Sequence, residues 1–267
     1  MQHSRGHGPG AASGPGAPLA GSPPPRTRPG HGGSPSIATP DYWWYLARGE
    51  LLRTALAGYA AGARLALDLG SADGPSVTWL GDVVEHTVSL DIDARGLGAG
   101  GVCGSAMQLP FDDATFDLVT AFDVIEHLAP EDGALAETAR VLSPGGRLLL
   151  AVPAYQWAWT DFDDKNGHHR RYTRARLVGA VERAGFTVDR VTHGFAAVFP
   201  LFAAERLTRR VLRARQTHAP ADIVEVPSVT RPVHHMLLGL CAVDKAVLSR
   251  RDLPFGSSVF LAATLRG

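Results

Sequence analysis

The chain has 267 residues, and its 26 basic and 26 acidic residues give a formal net charge of zero at pH 7. This length is enough for one large domain with a substantial core, and the balanced charge argues against a protein that binds nucleic acid. The two cysteines, Cys103 and Cys241, lie in apolar segments and form no disulfide or metal-ligand pattern. Because no apolar run approaches the ~20 residues that span a bilayer and no signal-peptide core is visible, we expect a cytoplasmic protein.

The N-terminal segment 1–40 contains eighteen glycines and prolines, no aromatic residue and no acid. Such a segment cannot bury enough apolar surface to offset the entropy of ordering it, so we predict a disordered tail. Order is expected to begin at Asp41, as the N-cap of the first helix. We predict that the rest of the chain forms one domain in four parts, which are a leading helix (41–62), a core (63–195), a helical insertion (196–255) and a closing strand (256–267).

Apolar runs of strand length alternate with helical patterns along the core. The clearest run is Phe116–Phe122, and the clearest amphipathic pattern is Thr173–Ala184, which ends at Gly185. This alternation predicts an α/β fold with a doubly wound, mostly parallel sheet. The predicted strands are 65–69, 86–91, 101–104, 116–122, 147–152, 186–191 and 258–264, and the predicted helices between them begin near Pro75 and span 130–142 and 173–184.

A small-residue turn follows the first predicted strand, with the sequence Asp68-Leu-Gly70-Ser71-Ala-Asp-Gly74. Glycine lets backbone amides approach a ligand, and a helix N-terminus after the turn favours electron-rich groups. Asp91 follows Gly70 by twenty-one residues, at the end of the second strand, where an acid can accept hydrogen bonds from both hydroxyls of a ribose. The two features together predict a nucleoside-cofactor site. The Gly70-x-x-x-Gly74 spacing differs from the G-x-G-x-x-G of nicotinamide dehydrogenases.

Two further segments follow predicted strands. Ser105–Met107 come after the third strand and Phe122–His127 end the fourth. Ligands of doubly wound sheets bind at the carboxyl ends of the strands. We therefore expect these segments to lie at one edge of the sheet with Asp68–Gly74 and Asp91.

These motifs resemble those of class I S-adenosylmethionine-dependent methyltransferases. The turn at Asp68–Gly74 is similar to the family's first motif, and Asp91 is similar to its ribose-binding acid. The resemblance covers about 41–195 and the closing strand. It implies a seven-stranded Rossmann-like sheet with an antiparallel last strand, and S-adenosyl-L-methionine as the cofactor. Further landmarks match in order at Leu109-Pro110-Phe111, Phe116–Val119, Glu126-His127-Leu128 and Arg140–Gly146.

The resemblance also implies individual cofactor contacts. Ala72 stands where the family commonly has a second glycine, and Ser105 stands where an acid often receives the adenine amino group. Met107 would flank the adenine ring, although core filling is an equal alternative for it. The implied cofactor-binding residues are Asp68, Gly70, Ser71, Gly74, Asp91, Ile92, Ser105, Ala106, Met107 and Phe122.

A narrower resemblance lies beyond the fifth predicted strand. Pro153-Ala-Tyr155 and the loop Gly167-His168-His169-Arg170-Arg171-Tyr172-Thr173 are similar to a bacterial subgroup of these enzymes, which is often found with polysaccharide or natural-product assembly genes. The resemblance implies methyl transfer to oxygen or nitrogen of a small-molecule acceptor, such as a natural product, a sugar or a lipid-linked intermediate.

A hydroxyl or ammonium acceptor needs a base, and histidine is the usual choice near neutral pH. His168, in the loop after the fifth strand, is the first candidate for a base or an acceptor-positioning group, and His127 is the second. Both have a structural alternative, as a hydrogen-bonding partner of nearby aspartates for His168 and as a packed helix-start residue for His127. Asp161, Asp163 and Asp164 with His168 fit no strong metal template, so we predict no metal.

The insertion combines apolar helical patterns with a cluster of arginines between 206 and 215. We predict two helices, at about 198–215 and 232–249. A cap over the substrate cleft is the favoured interpretation. Peripheral contact of the 198–215 helix with an anionic membrane surface and a dimer contact are the alternatives. The oligomeric state is left open.

Two other functions remain beside methyl transfer. The same fold and cofactor could serve a non-methylating step such as cyclisation or decarboxylation, or the chain could be a non-catalytic binding protein. The intact Asp68–Gly74 turn and Asp91 argue against a protein that has lost its cofactor.

Overall fold

The computed structural model describes residues 39–70, 74, 77–94, 97–98, 100–212 and 227–267, without the side chains of 210–212. The predicted tail therefore lies almost wholly outside the described residues. So do Ser71, Ala72 and Pro75 of the first motif.

The described residues form a seven-stranded sheet in the order β3-β2-β1-β4-β5-β7-β6. All neighbours pair in parallel except β7, which runs antiparallel to both β5 and β6. The predicted doubly wound, Rossmann-like sheet with an antiparallel last strand is confirmed. The strands are β1 (Leu65–Leu69), β2 (His86–Asp91), β3 (Val102–Cys103), β4 (Phe116–Phe122), β5 (Leu142–Pro153), β6 (Phe186–Gly194) and β7 (Ser258–Leu265).

Helices cover both faces of the sheet. Three short 3-10 turns of the described residues, at Thr78–Asp82, Ile125–His127 and Gln156–Ala158, lie among them. The helix predicted to begin near Pro75 is wrong for the described residues, which form the 3-10 turn Thr78–Asp82 instead. The described α-helices are α1 (Trp43–Ala60), α2 (Glu131–Val141), α3 (Asp161–Lys165), α4 (Arg174–Arg183), α5 (Phe199–Leu212) and α6 (Arg231–Leu248).

Several sequence-based boundaries are wrong. The sixth strand ends at Gly194 and not at Val191. The first helix begins at Trp43 with Tyr42 as its N-cap and no side-chain capping bond, so Asp41 does not cap it. The fifth strand begins at Leu142 and not at Arg147. Leu142 pairs with Phe116, and Arg147 pairs with Leu118. The strand therefore begins at Leu142, and the Ser143–Gly146 turn forms a bulge within it.

Alternate residues of the central strands point to opposite faces and build two hydrophobic cores. Leu67 and Leu69 of β1 belong to the core under α2 and α4, whereas Ala66 belongs to the core under α1 and α6. A parallel sheet buried on both faces needs such near-continuous apolar strands. Because both faces of the sheet are apolar, polar residues can lie at the carboxyl ends of the strands.

The insertion divides into two parts. α6 packs beside α1 and buries Leu237 and Cys241 against the core on that face. A cap over the substrate cleft stays a prediction for the insertion. α5 instead contacts the segment that follows β5, where the Phe199 ring lies 5.5 Å from the Tyr155 ring. Within the described part of the chain, no helix is both long enough and apolar enough to cross a membrane. The domain boundaries themselves remain predictions.

Candidate functional site

The end of β1 requires glycine at position 70. Gly70 has a φ of +73°, and a Cβ added there would lie 2.4 Å from Cγ2 of Val124. Its N–H donates to the Leu90 carbonyl at 2.8 Å, which ties the end of β1 to β2. Gly74 is exposed, with open space where a Cβ would stand. Ser71 lies outside the described residues.

Asp68, the acid of the first motif, is held from the neighbouring strand. Its Oδ1 accepts a hydrogen bond from Oγ1 of Thr120 on β4 at 2.5 Å, and both residues are buried. The bond fixes the carboxylate at the point where β1 turns towards the glycine turn. A buried acid without such donors would destabilise the fold.

The replacement Thr120→Val should reduce the free energy of unfolding by about 2 kcal/mol, because a buried carboxylate loses a donor while side-chain volume is conserved. Urea unfolding of the purified chain measures this loss. Thr264→Val is a matched control, since Thr264 donates to Asp189 in an exposed strand pair at 2.7 Å. We expect the control to lose less than about 0.5 kcal/mol, and equal losses in the two variants would contradict the role assigned to Thr120.

Asp91 ends β2 with its carboxylate already oriented. Its Oδ1 accepts the N–H of Asp93 at 2.8 Å, and only 8% of Asp91 is exposed. Ile92, the next residue, is 60% exposed. An oriented acid and an exposed apolar side chain are thus adjacent at the edge of the sheet, which is the pair of groups that a ribose and an adenine would contact.

The segment after β3 forms a tight turn. Oγ of Ser105 accepts the N–H of Met107 at 3.2 Å, so the serine stabilises the turn itself. Ala106 is nearly buried, at 9% exposure. Met107 lies against α2, because a Cβ added at Gly133 would be 2.9 Å from Cε of Met107.

At the end of β4, the Phe122 side chain turns into the core. Its ring lies 6.4 Å from the ring of Trp79, and 3% of the residue is exposed. We therefore expect any cofactor contact of Phe122 to come from its backbone. The following residue, Asp123, has a φ of +56° and pairs with buried Arg48 at 2.9 Å. Sequence reasoning missed this ion pair, because the two residues are far apart in the chain.

The two candidate catalytic histidines meet. The ring centroids of His127 and His168 are 4.6 Å apart at an interplanar angle of 82°. His127 belongs to the 3-10 turn after β4, and His168 belongs to the segment after β5, so both lie beyond the carboxyl ends of central strands. The sequence placed both residues at this edge, and the structure adds that their side chains are in contact.

Asp163 holds His168 in place. Nδ1 of His168 lies 2.9 Å from Oδ1 of the buried Asp163, which also accepts Nε–H of Arg171 at 2.7 Å. Burial alone would raise the pKa of Asp163, but the hydrogen bond from His168 and the charge of Arg171 outweigh it and lower the pKa to about 2. His168 therefore does have the hydrogen bond to an aspartate that its structural alternative requires. This bond uses only Nδ1, one of the two ring nitrogens.

Glu126 is the residue that sequence reasoning missed at this site. It is fully buried beside the two histidines, and neither carboxylate oxygen has a hydrogen-bond partner among the described residues. Burial, and secondly the negative charge of Asp123, raise the pKa of Glu126 well above its ordinary range. In the sequence, Glu126 was noted only as part of the segment Glu126-His127-Leu128, which matches the resembled family.

Comparison with known proteins shows what part of the chain resembles. Residues 67–150 match the family described as "Methyltransferase domain". The chain is 32% identical over 165 residues to a protein of Mycolicibacterium smegmatis named "Probable S-adenosylmethionine-dependent methyltransferase", with 58% of this chain and 63% of that protein covered. It is 38% identical over 124 residues to the demethylmenaquinone methyltransferase of Beutenbergia cavernae, with 43% of this chain and 51% of the relative covered. The chain thus spans less than two thirds of these relatives' lengths.

A solved structure shares the fold. The S-adenosylmethionine-dependent methyltransferase of Archaeoglobus fulgidus superposes with a TM-score of 0.50 at 16% identity, covering 80% of this chain and 92% of that chain. The fold and the match over residues 67–150 agree with the expected methyltransferase domain, and its use of S-adenosylmethionine is taken up below as a proposal. The narrower bacterial subgroup, with its Gly-His-x-Arg-Arg-Tyr loop, stays a prediction.

The described residues fit this cofactor. Gly70 gives a close-packed backbone turn, Gly74 leaves open space, and Asp91 presents a fixed carboxylate beside exposed Ile92. A small-residue turn and an acid at adjacent strand ends are the donor and acceptor set that a nucleoside requires. The individual contacts assigned to these residues remain predictions.

Proposed function

We propose that the chain transfers a methyl group from S-adenosylmethionine to oxygen or nitrogen of a small-molecule acceptor. One observation carries the proposal. The turn and acid suited to the cofactor, at the ends of β1 and β2, share a sheet edge with His127 and His168, which follow β4 and β5. A donor site and a polar acceptor site therefore lie side by side.

Within this proposal, the residues divide the work. S-adenosylmethionine supplies a methyl group that its sulfonium sulfur has already activated. Asp91 and the backbone of Gly70 and Ile92 hold the nucleoside part, while His127 and His168 contact the acceptor and receive or orient its proton. Fixing both partners in a near-attack geometry can lower the barrier by several kcal/mol, about 7–11 in the best intramolecular cases.

Helix α5 packs against the segment that follows β5. Phe199 of α5 lies against Tyr155 and Trp157, and Arg206 donates to Thr160. These contacts and the formal charge of zero favour a small acceptor. We include a cytoplasmic location in the proposal and no nucleic-acid partner.

Membrane contact through α5 stays a prediction. Leu201 and Leu207 are more than half exposed, which favours such contact and would suit a lipid-linked acceptor. Arg206 instead points inward, and Arg209 pairs with Glu205, so the basic character of the described part of the helix is partly neutralised.

A labelled-methyl assay tests the proposed function. The purified chain is incubated with S-adenosylmethionine carrying an isotopic methyl label and with extracts or candidate acceptors, and the products are analysed by mass spectrometry. We expect a labelled methyl group in one acceptor and release of S-adenosylhomocysteine. Cofactor consumption without a methylated product would favour a non-methylating step, and failure to bind the cofactor would favour a binding protein.

A further inference from the structure

The starting observation is the Glu126 carboxylate, which is buried without a hydrogen bond, although the positive charges of Arg48 and Arg171 act on it. It is 0% exposed, and neither oxygen has a hydrogen-bond partner among the described residues. Leaving a buried carboxylate without partners is costly. Protonation would remove the charge but would still leave a hydroxyl donor and a carbonyl acceptor unpaired. Two open acceptor oxygens beside two histidines are suited to binding a cation.

The chemistry around Glu126 indicates what that group is. One ligand atom from each of Glu126, His127 and His168 lies within 4.8 Å of the others. Atoms bound to one Zn²⁺ lie about 2.0–2.2 Å from the ion, so small side-chain movements would bring all three into a single coordination sphere. Two imidazole nitrogens and one carboxylate suit a divalent transition metal, whereas Mg²⁺ and Ca²⁺ prefer oxygen ligands.

The surrounding residues hold this set in place. Asp163 bonds Nδ1 of His168, which leaves Nε2 as the nitrogen available to a metal ion. Asp163 is itself held by Arg171 and by the N–H of Thr160 at 2.8 Å. A carboxylate that orients a histidine ligand in this way is a usual feature of metal sites. The N–H of His169 donates to the Glu126 carbonyl at 2.8 Å and joins the two segments that carry the ligands.

We propose that Glu126, His127 and His168 bind one divalent transition-metal ion, with Zn²⁺ or Mn²⁺ as the class of ion, and that Asp163 is a positioning residue for His168. This set differs from the Asp161, Asp163, Asp164 and His168 group, whose sequence spacing matched no metal template. The new set depends on Glu126, whose burial only the structure reveals.

The proposed ion would also define the acceptor more closely, a step that rests on the proposed function. Three protein ligands leave at least one coordination position open, as in catalytic zinc sites. The cluster lies on the acceptor side of the sheet edge, so an acceptor oxygen could take that position. Binding there would lower the pKa of an acceptor hydroxyl and favour its proton loss to solvent. With the ion bound, His127 and His168 would orient the acceptor as metal ligands and would not receive its proton. The inference is that the acceptor carries a hydroxyl group.

The test measures metal binding directly, without methyl transfer. The full chain is treated with a chelator and titrated with Co²⁺, while the visible absorption spectrum reports coordination by nitrogen and oxygen. We expect one Co²⁺ per chain in competition with Zn²⁺, and a melting temperature that rises with Zn²⁺. Glu126→Gln should weaken binding by about 100-fold or more, since even residues that only orient a ligand contribute 10–100-fold. Asp163→Asn should weaken it by about 10–100-fold.

His169→Gln is the matched control, because His169 is exposed and adjacent to His168 but lies outside the cluster. It should bind Co²⁺ like the unmodified chain. His127→Gln, at a partly exposed position, replaces Glu126→Gln if that variant does not fold. The proposal is overturned if the chain shows no saturable binding. It is also overturned if the variants of Glu126 and His127 bind normally, which would assign the ion to other histidines.

The two proposals fail separately. Metal binding with no methylated product would reject the proposed function and keep the site. Methyl transfer that persists in the chelator-treated chain, together with no Co²⁺ binding, would reject the site alone.

Discussion

Replacing Asp91 with alanine is expected to weaken the binding of S-adenosylhomocysteine by roughly 5- to 150-fold, which corresponds to about 1–3 kcal/mol. The carboxylate lies at the end of β2, and its Oδ1 is already fixed by the N–H of Asp93. It therefore reaches a ligand with little loss of conformational entropy. Without it, the two ribose hydroxyls would leave water and find no acceptor. Isothermal titration calorimetry on the full chain measures the change.

Asp91→Asn separates the cofactor contact from the fold. The asparagine can still accept the N–H of Asp93 through its side-chain oxygen, but it has no charge and only one acceptor atom. We expect Asp91→Asn to bind S-adenosylhomocysteine more weakly than the unmodified chain and more tightly than Asp91→Ala. Its melting temperature should be unchanged. Equal affinity in all three proteins would show that Asp91 does not contact the ribose.

The second expected result concerns His168, whose replacement by alanine should slow methyl transfer by about 10²-fold or more while cofactor affinity changes little. His168 follows β5, whereas the residues assigned to the cofactor lie at or just after the ends of β1, β2, β3 and β4. Its ring contacts His127 and lies beside Glu126, and the proposed function assigns this group to the acceptor. Single-turnover rates with a saturating cofactor concentration measure the chemical step.

His168→Asn distinguishes a functional from a structural role. Asparagine can keep a donor near the position of Nδ1 and so satisfy Asp163, but it has no atom that replaces Nε2. We expect this variant to fold with a nearly unchanged melting temperature and yet to lose turnover as His168→Ala does. His169→Ala, the neighbouring exposed histidine, should retain full turnover. Full recovery of turnover in His168→Asn would assign the residue to structure alone.

Runs of apolar residues predicted the strands correctly where a short stretch of chain is buried on both faces of the sheet. The bounds of β1, β2 and β4 agree with their sequence-based predictions, because a strand buried on both faces must be apolar throughout and must end where polarity begins. The same reasoning placed Gly70 at a turn, and the positive φ there is a conformation that glycine adopts without strain. The boundary at β5 was wrong because pairing of Leu142 with Phe116 outweighed the turn signal of Ser143–Gly146.

The sequence alone determined the doubly wound fold, because strand periodicity is a local property. It also predicted the sheet edge for the site and a nucleoside cofactor from motif spacing, and both stay predictions. Tertiary structure alone decided that α6 packs on α1, since an amphipathic pattern shows that a face is buried but not against which partner. It alone also brought His168 against His127 and left Glu126 buried without a partner. These residues lie on separate segments, and only the packing of the β4 and β5 connections sets the distances between their side chains.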